Sequence, residues 1–384
     1  MSDHNTADSL NPFTEEEEMF RRTVRQFLDK ELEPNVDKFV GNLDYDREFW
    51  RKAGQAGILG AAIPEEFGGP GASDMCGVVL AQELGRSAGG ATVGSSLSAD
   101  IATYILMTGG SAEQKRKWAP GILSGDIPQC MPLTESEAGS DATAIRTTAI
   151  RDGDSYVING SKIYISNGNK ARLLYVVAKT DPAKGGRGMS ILLVEGDTPG
   201  ISRHPMNTMG YPAYDLAEFH FDNVRVPAEN LFLGEGRALD ILMSTFALDR
   251  LEIAGRALGE AELAFNLALD FVKERKAFGQ RVIDFQNTQF KLAEMKTDIE
   301  VGRAFLHDSV RKYRANKFDL ADGAMIKLWV PEMASRVIDT ALQMFGGSGF
   351  MEEMLISKLY RANRLQRLYA GTSELQKVAI AKKF

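Results

Sequence analysis

The chain has few of the residues that form metal sites and disulfide frameworks. Its 384 residues include two cysteines, Cys76 and Cys130, and four histidines, and none of these lie at metal-ligand spacing. We therefore expect no metal site. Two thiols in a chain of this length are typical of a reducing compartment and predict no disulfide framework.

Excess positive charge and long apolar runs are also missing. The formal net charge is -7 and the pI is about 5.4, which argues against nucleic acid and anionic membranes as partners because both bind basic surfaces. No apolar stretch reaches the roughly 18 residues of a membrane span. Residues 1–11 contain neither the apolar core of a secretory signal nor the arginines of a transit peptide. We expect a cytoplasmic protein with no nucleic-acid or membrane partner.

The sequence pattern changes twice along the chain, and a chain of this length is expected to form two or three subdomains. Residues 1–128 have helical periodicity, with a capping box at Thr14 and Glu17. Residues 129–235 break into short β-type runs, and residues 236–384 return to helical spacing. The predicted fold is α+β, with an N-terminal helical domain, a middle antiparallel β barrel or sandwich, and a C-terminal helical bundle.

Two segments of the middle region carry polar side chains that are suited to binding a ligand. In the first, Thr134 and Ser140 belong to a turn of small and hydroxyl-bearing residues that follows an apolar strand. In the second, Tyr164 and Ser166 are two residues apart on a predicted strand, so their side chains share one face. Asn159-Gly160, just before them, predicts a hairpin turn. A surface turn and an ordinary hairpin would explain the same patterns without a ligand.

The C-terminal region adds three further segments. Arg275 and Phe278 lie in the run E-R-K-A-F-G-Q, and Gln286 follows shortly afterwards. A second run, Q-M-F-G-G-S-G-F, begins at Gln343, and a third, Y-A-G-T-S-E, begins at Tyr369. Taken singly, such segments are also explained by a solvated charge at a helix end or by glycines that end a helix.

Together and in this order, these segments resemble the acyl-CoA dehydrogenase family of FAD-dependent enzymes. The resemblance extends from the middle of the chain to its end, and it implies a middle β barrel followed by a four-helix bundle. In the family, the aromatic residue covers the isoalloxazine, the strand hydroxyl bonds flavin N5, and the Arg-Phe segment reaches the FAD of a neighbouring subunit. The FAD contacts implied here are Met131, Leu133, Thr134, Ser140, Tyr164, Ile165, Ser166, Arg275, Phe278, Gln286, Gln343, Gly346, Gly347, Thr372 and Glu374.

The resemblance also implies a reaction and an assembly. A carboxylate would remove the α-proton of an acyl-CoA thioester while flavin N5 takes a hydride. The backbone N–H at Ala370 would polarise the thioester carbonyl. A homotetramer, built as a dimer of dimers, would pass its electrons to an electron-transferring flavoprotein. The implied substrate contacts are Ser140, Arg250, Ala370 and Gly371.

One position departs from the commonest family pattern, which reads Tyr-Glu-Gly-Thr and uses that glutamate as the base. Ala370 occupies its place, and alanine cannot take a proton. A minority of the family has the base on another helix, directly before an arginine, where this chain has Asp249 before Arg250. Aspartate is one methylene shorter, which pulls the carboxylate back by about 1.5 Å. Glu252 lies on nearly the same helical face but out of register with the motif.

Asp100 is a second candidate base. It lies in a helix of otherwise apolar and small residues that lines the acyl pocket in the family, and a buried carboxylate is costly unless it is paired or used. A base there would suit 1,4-removal of a proton and a hydride from an alicyclic ring of the cyclohexene-carboxyl-CoA type. An N-cap or an arginine partner would explain Asp100 equally well. We expect a branched or alicyclic acyl-CoA substrate, with 1,2- and 1,4-removal both open.

Two other functions fit the same residues. One is other chemistry within the family, such as oxidation of a substrate on an acyl carrier protein, or a desulfination, which needs no α-proton base. A catalytically silent subunit that lends FAD contacts to an active relative would also tolerate alanine there. The intact flavin segments argue against the silent subunit.

Overall fold

Helices form the N-terminal part of the molecule. The capping box is confirmed, because the Thr14 hydroxyl accepts a hydrogen bond from the Glu17 amide while the Glu17 carboxylate accepts one from the Thr14 amide. The computed structural model describes residues 11–41, 47–94, 97 and 100–384. The helices of this part are α1 (Glu15–Phe27), α2 (Val36–Gly41), α3 (Arg47–Gln55), α4 (Met75–Arg86), α5 (Gly90–Val93), α6 (Asp100–Gly109) and α7 (Ala112–Leu123).

The middle region forms one open sheet of eight strands. Its strands are β1 (Gln129–Cys130), β2 (Thr148–Asp152), β3 (Ser155–Ser166), β4 (Leu173–Lys179), β5 (Met189–Glu195), β6 (Ile201–Pro205), β7 (Leu216–Pro227) and β8 (Leu231–Phe232). They lie in the order β6-β7-β3-β2-β4-β5-β8, with β1 beside β4. The predicted closed barrel is not confirmed, because β6 and β8 remain as separate edges. The sheet is also mixed rather than wholly antiparallel, since β1 and β2 run parallel to β4.

The predicted hairpin at Asn159-Gly160 is wrong. This dipeptide lies inside the continuous strand β3, where the pairing with β7 shifts register. The turn lies instead at Gly153, between β2 and β3. Gly160 is required at the bulge because a Cβ there would be 2.4 Å from the Thr147 hydroxyl oxygen. The Asn159 side-chain oxygen accepts a hydrogen bond from the Asn223 amide at 2.8 Å. The dipeptide therefore helps to pair β3 with β7 and does not form a turn.

Long helices form the C-terminal part, and α8 packs against both α4 and α10. Residues 251–262 of α8 are all buried, so the middle of this helix is enclosed on every side, as expected for a helix at the centre of a core. Among the described residues, no helix combines the length and apolar character needed to cross a membrane. The elements are α8 (Ala238–Glu274), β9 (Lys276–Ala277), β10 (Gln280–Arg281), α9 (Gln286–Arg314), α10 (Leu320–Met344), α11 (Leu355–Asn363) and α12 (Ser373–Ala381).

A buried ion pair in α8 joins the N-terminal helices to the bundle. Arg256 Nε lies 3.1 Å from Glu260 Oε1, and both side chains are almost fully buried. The same guanidinium donates hydrogen bonds to the carbonyl oxygens of Gly90 and Gly94, both at 2.8 Å. Arginine presents its donors in a rigid planar fork, so these bonds fix α5 in position against α8.

Glu260 extends this network to the rest of the chain. Its Oε1 accepts hydrogen bonds from the Tyr211 hydroxyl at 2.7 Å and from Gln366 Nε2 at 2.9 Å. Its Oε2 accepts one from Asn363 Nδ2 at 2.8 Å. Tyr211 lies between β6 and β7, whereas the two amides lie at and just beyond the end of α11. The Arg256–Glu260 pair therefore connects all three parts of the fold, and its polar partners satisfy one another.

We predict that Arg256→Met lowers the free energy of unfolding by about 3–5 kcal/mol, because it leaves the Glu260 charge buried without its cation. Denaturant titration of the FAD-loaded protein measures this loss. Arg336→Met is the matched control, since Arg336 makes an exposed pair with Asp298 and its removal should cost less than about 1 kcal/mol. Equal losses in the two variants would contradict the role given to Arg256.

Candidate active site

Two adjoining cavities lie between the middle sheet, α8 and the turn before α12. The front cavity, of about 780 Å³, lies between the sheet and residues 361–375. The inner cavity, of about 380 Å³, lies against α8 and β1. Residues at their junction line both cavities, and they include Thr134, Ser140, Tyr164, Ser166, Ala370 and Gly371.

A second buried ion pair locks the two predicted ligand-binding segments of the sheet together. Lys162 Nζ lies 2.8 Å from Glu135 Oε1 and donates to the Leu133 carbonyl oxygen at 2.9 Å. The Glu135 carboxylate also accepts hydrogen bonds from the amides of Arg146 and Thr147. Burial lowers the pKa of Lys162 to about 8, yet the lysine remains cationic at neutral pH. This pair holds the turn that carries Thr134 against the strand that carries the cavity-facing tyrosine and serine.

Tyr164 and Ser166 both line the cavities, although the pairing of β3 with β7 shifts register between Lys162 and Ile165. Tyr164 has a φ of 60° and is 60% exposed, whereas Ile165 is buried and lines the inner cavity. The Ser166 hydroxyl lies 2.5 Å from the hydroxyl of Tyr214, which also lines the front cavity. Sequence reasoning missed Tyr214, because a contact across 48 positions has no local pattern to reveal it.

The turn at Ala370 and Gly371 is held against α10 from behind. Both residues have positive φ angles, 50° and 87°. The Gly371 carbonyl oxygen accepts hydrogen bonds from Lys327 Nζ and from Gln376 Nε2, both at 2.7 Å. Thr372 caps the first turn of α12. Lys327 was also missed, although a lysine within the apolar run A-M-I-K-L-W is a recognisable signal of a buried charge.

Asp249 lines the inner cavity together with Ala370 and Gly371. Burial raises the pKa of Asp249 to about 6, although the neighbouring cations Arg250 and Lys327 favour its charged form. Arg250 Nη1 donates to the Leu320 carbonyl oxygen at 3.0 Å. The structure therefore brings a carboxylate with a raised pKa to the cavity whose opposite wall is the alanine turn.

The other residues predicted to contact the cofactor or the substrate lie in different places relative to the two cavities. Met131, Leu133 and Arg250 line the inner cavity, and Thr372 lines the front cavity. Glu374 is exposed on the first turn of α12 and lines neither of these two cavities. Asp100 is the first residue of α6, but its side chain lies outside the described part of the structure.

The remaining predicted FAD contacts lie at the opposite end of α8. Residues 249 and 275 are 26 positions apart, which is about 39 Å along a helix at about 1.5 Å per residue. Phe271 and Phe345 stack with ring centroids 4.3 Å apart, which brings the end of α8 against the end of α10. Phe278 at the tip of the β9–β10 hairpin is 97% exposed. This far-end group consists of Arg275, Phe278, Gln286, Gln343, Gly346 and Gly347, all of them exposed.

Comparison with known proteins identifies the family. Models of the acyl-CoA dehydrogenase N-terminal, middle and C-terminal domains match residues 14–126, 130–224 and 236–384. The chain belongs to the acyl-CoA dehydrogenase family. It is 36% identical over 374 residues to the acryloyl-CoA reductase (NADH) of Anaerotignum propionicum, a match that covers 96% of this chain and 94% of the relative.

Solved structures of this family share the fold closely. An acyl-CoA dehydrogenase from Geobacillus kaustophilus superposes with a TM-score of 0.93 at 39% identity, over 97% of this chain and 98% of that one. A glutaryl-CoA dehydrogenase from Mycobacterium smegmatis, in complex with FADH2, gives 0.89 at 29% identity, over 98% and 96% of the two chains. This protein is an FAD-dependent acyl-CoA dehydrogenase, an oxidoreductase.

The residues at the junction of the cavities fit a flavin. Hydroxyl groups of Thr134, Ser140 and Ser166 line the front cavity and suit the polar edge of an isoalloxazine. Tyr164 presents its aromatic ring there with most of its surface exposed, and a flat ring system would cover it. At the far end of α8, a Cβ built on Gly347 would meet no atom within 4 Å, so the backbone there is open to close approach.

We predict that Asp249→Asn stabilises the FAD-loaded enzyme above pH 6. The folded state holds the Asp249 proton more tightly than the unfolded chain does, so wild-type stability falls as pH rises from about 4 to about 6. The variant lacks this loss, which is worth up to about 3 kcal/mol and less where solvent in the cavity screens the charge. Thermal unfolding from pH 4 to 8 measures the difference, and a gap between the two proteins that does not change with pH would contradict it.

Proposed function

We propose that this enzyme desaturates a branched or alicyclic acyl-CoA thioester and uses Asp249 as the base. The observation that carries the proposal is the Asp249 carboxylate, which lines the inner cavity with the Ala370–Gly371 turn and has a pKa of about 6. A general base works best when its pKa lies near the operating pH. This geometry also supports an active enzyme over a silent subunit, because a carboxylate stands in the cavity although the turn has none.

The residues around the inner cavity would divide the reaction between them. Bound FAD supplies the acceptor for a hydride. Asp249 is ionised at neutral pH and takes the α-proton of the thioester. The backbone N–H at Ala370 donates to the thioester carbonyl oxygen and stabilises the negative charge that develops there. Lys327 holds the carbonyl of Gly371 from the other side and so fixes the direction of this turn.

The space at Ala370 supports a bulky acyl group. A methyl side chain stands where the commonest family members carry a carboxylate beside the reacting carbon, and this leaves room next to it. Phe246, Ile253 and Met131 add apolar walls to the same cavity. Methionine and aromatic side chains adapt to irregular shapes, which suits a branched chain or a ring better than a straight chain.

We further propose a homotetramer, arranged as a dimer of dimers, that passes its electrons to an electron-transferring flavoprotein. Support for the assembly comes from the far-end group, because its exposed side chains are too far along α8 to contact a flavin held in the front cavity of the same chain. These residues would instead meet the FAD of a neighbouring subunit. Cys76 and Cys130 are both buried thiols, and cysteines kept as thiols support the cytoplasm as the compartment.

Asp249→Asn tests the base, because asparagine keeps the shape of aspartate and cannot take the proton. We expect the rate of flavin reduction by a ring-bearing thioester such as cyclohexanecarboxyl-CoA to fall by about 100- to 10,000-fold under anaerobic conditions. Binding of the thioester, followed by its perturbation of the flavin spectrum, should persist. In the wild type the rate should fall below about pH 6 as Asp249 is protonated.

Asp100→Asn is the matched control for this experiment. If Asp249 is the base, the control should lower the rate of flavin reduction by less than tenfold. If Asp100→Asn abolished flavin reduction while Asp249→Asn retained it, the result would indicate 1,4-removal on a ring and would overturn the role of Asp249. Small losses in both variants would favour a family chemistry without an α-proton base.

Arg275→Ala tests the subunit arrangement. We expect the purified variant to hold clearly less than one FAD per chain, because a cation near the cofactor of the neighbouring subunit has been removed. Arg281→Ala, on the same hairpin, should keep full FAD content because Arg281 pairs with Asp284. The absorbance ratio of flavin to protein gives the occupancy, and equal losses in both variants would argue against a specific contact at Arg275.

A further inference from the structure

A third, smaller cavity adjoins the inner cavity on the side of α8 that carries Leu248 and Glu252. This end chamber, of about 190 Å³, lies between α4, α6 and α8. Among the described residues that line the two spaces, only Glu252 lines both. Glu252 is three residues after Asp249 on α8, so it lies on nearly the same face about 4.5 Å further along the helix. It therefore stands at the boundary between the space for the reaction and the space behind it.

The Glu252 carboxylate is held between two helices. Its side chain is 6% exposed, and a Cβ built on Gly77 of α4 would lie 2.3 Å from Glu252 Oε1. Any side chain at Gly77 would collide with this carboxylate, so α4 approaches α8 closely at this point. The glutamate thus occupies the passage between α4 and α8 rather than the solvent.

The end chamber behind Glu252 has a mixed lining, in which polar side chains stand among apolar ones. Asp74 lines it and accepts a hydrogen bond from the Tyr313 hydroxyl at 3.2 Å. Burial raises the pKa of Asp74. Thr103 and Tyr104 add hydroxyl groups to the lining, and Met107 is one of its few large apolar residues. A hydrocarbon chain that entered would displace water from two carboxylates, and removing a charge from water is costly.

We propose that Glu252 is a specificity-determining residue that separates the inner cavity, taken as the acyl site, from the end chamber beside it. A compact acyl group fits before it, whereas a straight chain of octanoyl length must place its methylenes against the carboxylate and in the polar chamber. This inference rests on the proposed function, since it takes the inner cavity to be the acyl site. To the proposed function it adds a named residue, Glu252, and the physical reason why compact acyl groups are favoured over long ones.

The test compares cyclohexanecarboxyl-CoA with octanoyl-CoA in the FAD-loaded enzyme. For each thioester, the Kd is taken from the flavin spectral change and the rate from anaerobic flavin reduction. We expect wild type to favour the ring thioester at least tenfold in the ratio of rate to Kd. Glu252→Leu should shift this ratio toward octanoyl-CoA at least tenfold, because the chain then meets an apolar side chain. Glu252→Gln, which keeps the shape and removes the charge, should shift it at least threefold.

Met107→Ala is the matched control, because it enlarges the end chamber and leaves Glu252 in place. Its ratio between the two thioesters should stay within threefold of wild type. A shift as large as that of Glu252→Leu would overturn the proposal, since the volume of the chamber would then set the selectivity. Wild type that prefers octanoyl-CoA would overturn it as well.

Further outcomes separate this inference from the proposed function. If the ring thioester reduces the flavin and Asp249→Asn abolishes this, but neither Glu252 variant shifts the ratio, only the role of Glu252 fails. If no thioester reduces the wild-type flavin, the proposed function fails. Loss of reduction by every thioester in Glu252→Gln, with FAD content unchanged, would make Glu252 a base and overturn the specificity role. Glu252→Gln also serves as the decisive variant if Glu252→Leu does not retain FAD.

Discussion

The Arg256–Glu260 ion pair is the interaction on which the rest of the site depends. Its two side chains reach the N-terminal helices, the loop after β6 and the segment after α11, so three parts of the chain converge on one turn of α8. The inner cavity lies beside this convergence, and Arg256 contributes to its lining. A buried pair of charges is stable only with full hydrogen bonding. The same bonds that satisfy Glu260 therefore also fix the walls of the reaction space.

Helix α8 holds the residues with proposed roles at fixed positions along one rigid element. Asp249, Glu252 and Arg256 follow one another at three- and four-residue spacing, which places them on one face. The proposed base, the proposed specificity residue and the arginine that attaches the N-terminal helices are thus fixed relative to one another by backbone hydrogen bonds rather than by loops. The same rigidity sets the distance from Asp249 to Arg275, and this distance supports our proposal that the far-end group contacts the FAD of a neighbouring subunit.

Local sequence patterns predicted what depends on local physics. The capping box at Thr14 and the order of helical and β regions were correct because both follow from short-range periodicity and hydrogen bonding. The hairpin at Asn159-Gly160 failed because those residues serve a bulge that pairs with β7, a strand about 60 positions away. A turn signal cannot distinguish these uses. The closed barrel failed for a related reason, since sheet closure depends on edge pairing and not on strand propensity.

In the candidate site, too, local sequence patterns predicted some residues and missed those that depend on distant contacts. Asp249 could be proposed from its place beside Arg250, and Ala370 from a motif that lacks its usual acid. The hydroxyl contact between Ser166 and Tyr214 could not be predicted, because it joins residues that only the folded sheet brings together. Lys162 stood within a predicted segment, yet its partner Glu135 stood in another, and only the structure reveals that they hold those segments together.

The loss of the acid at Ala370 has a geometric consequence for the substrate. An aspartate on α8 is shorter than a glutamate by about 1.5 Å, so the reacting carbon must lie closer to α8 for the same proton transfer. Ala370 allows this shift only in part, because its turn is fixed from behind by the contact between Lys327 and Gly371. A substrate that approaches α8 also approaches Glu252, which lines both the inner cavity and the end chamber. A bulky acyl group beside Ala370, rather than a long acyl chain, is therefore the shape that we expect to fit next to both Asp249 and Glu252.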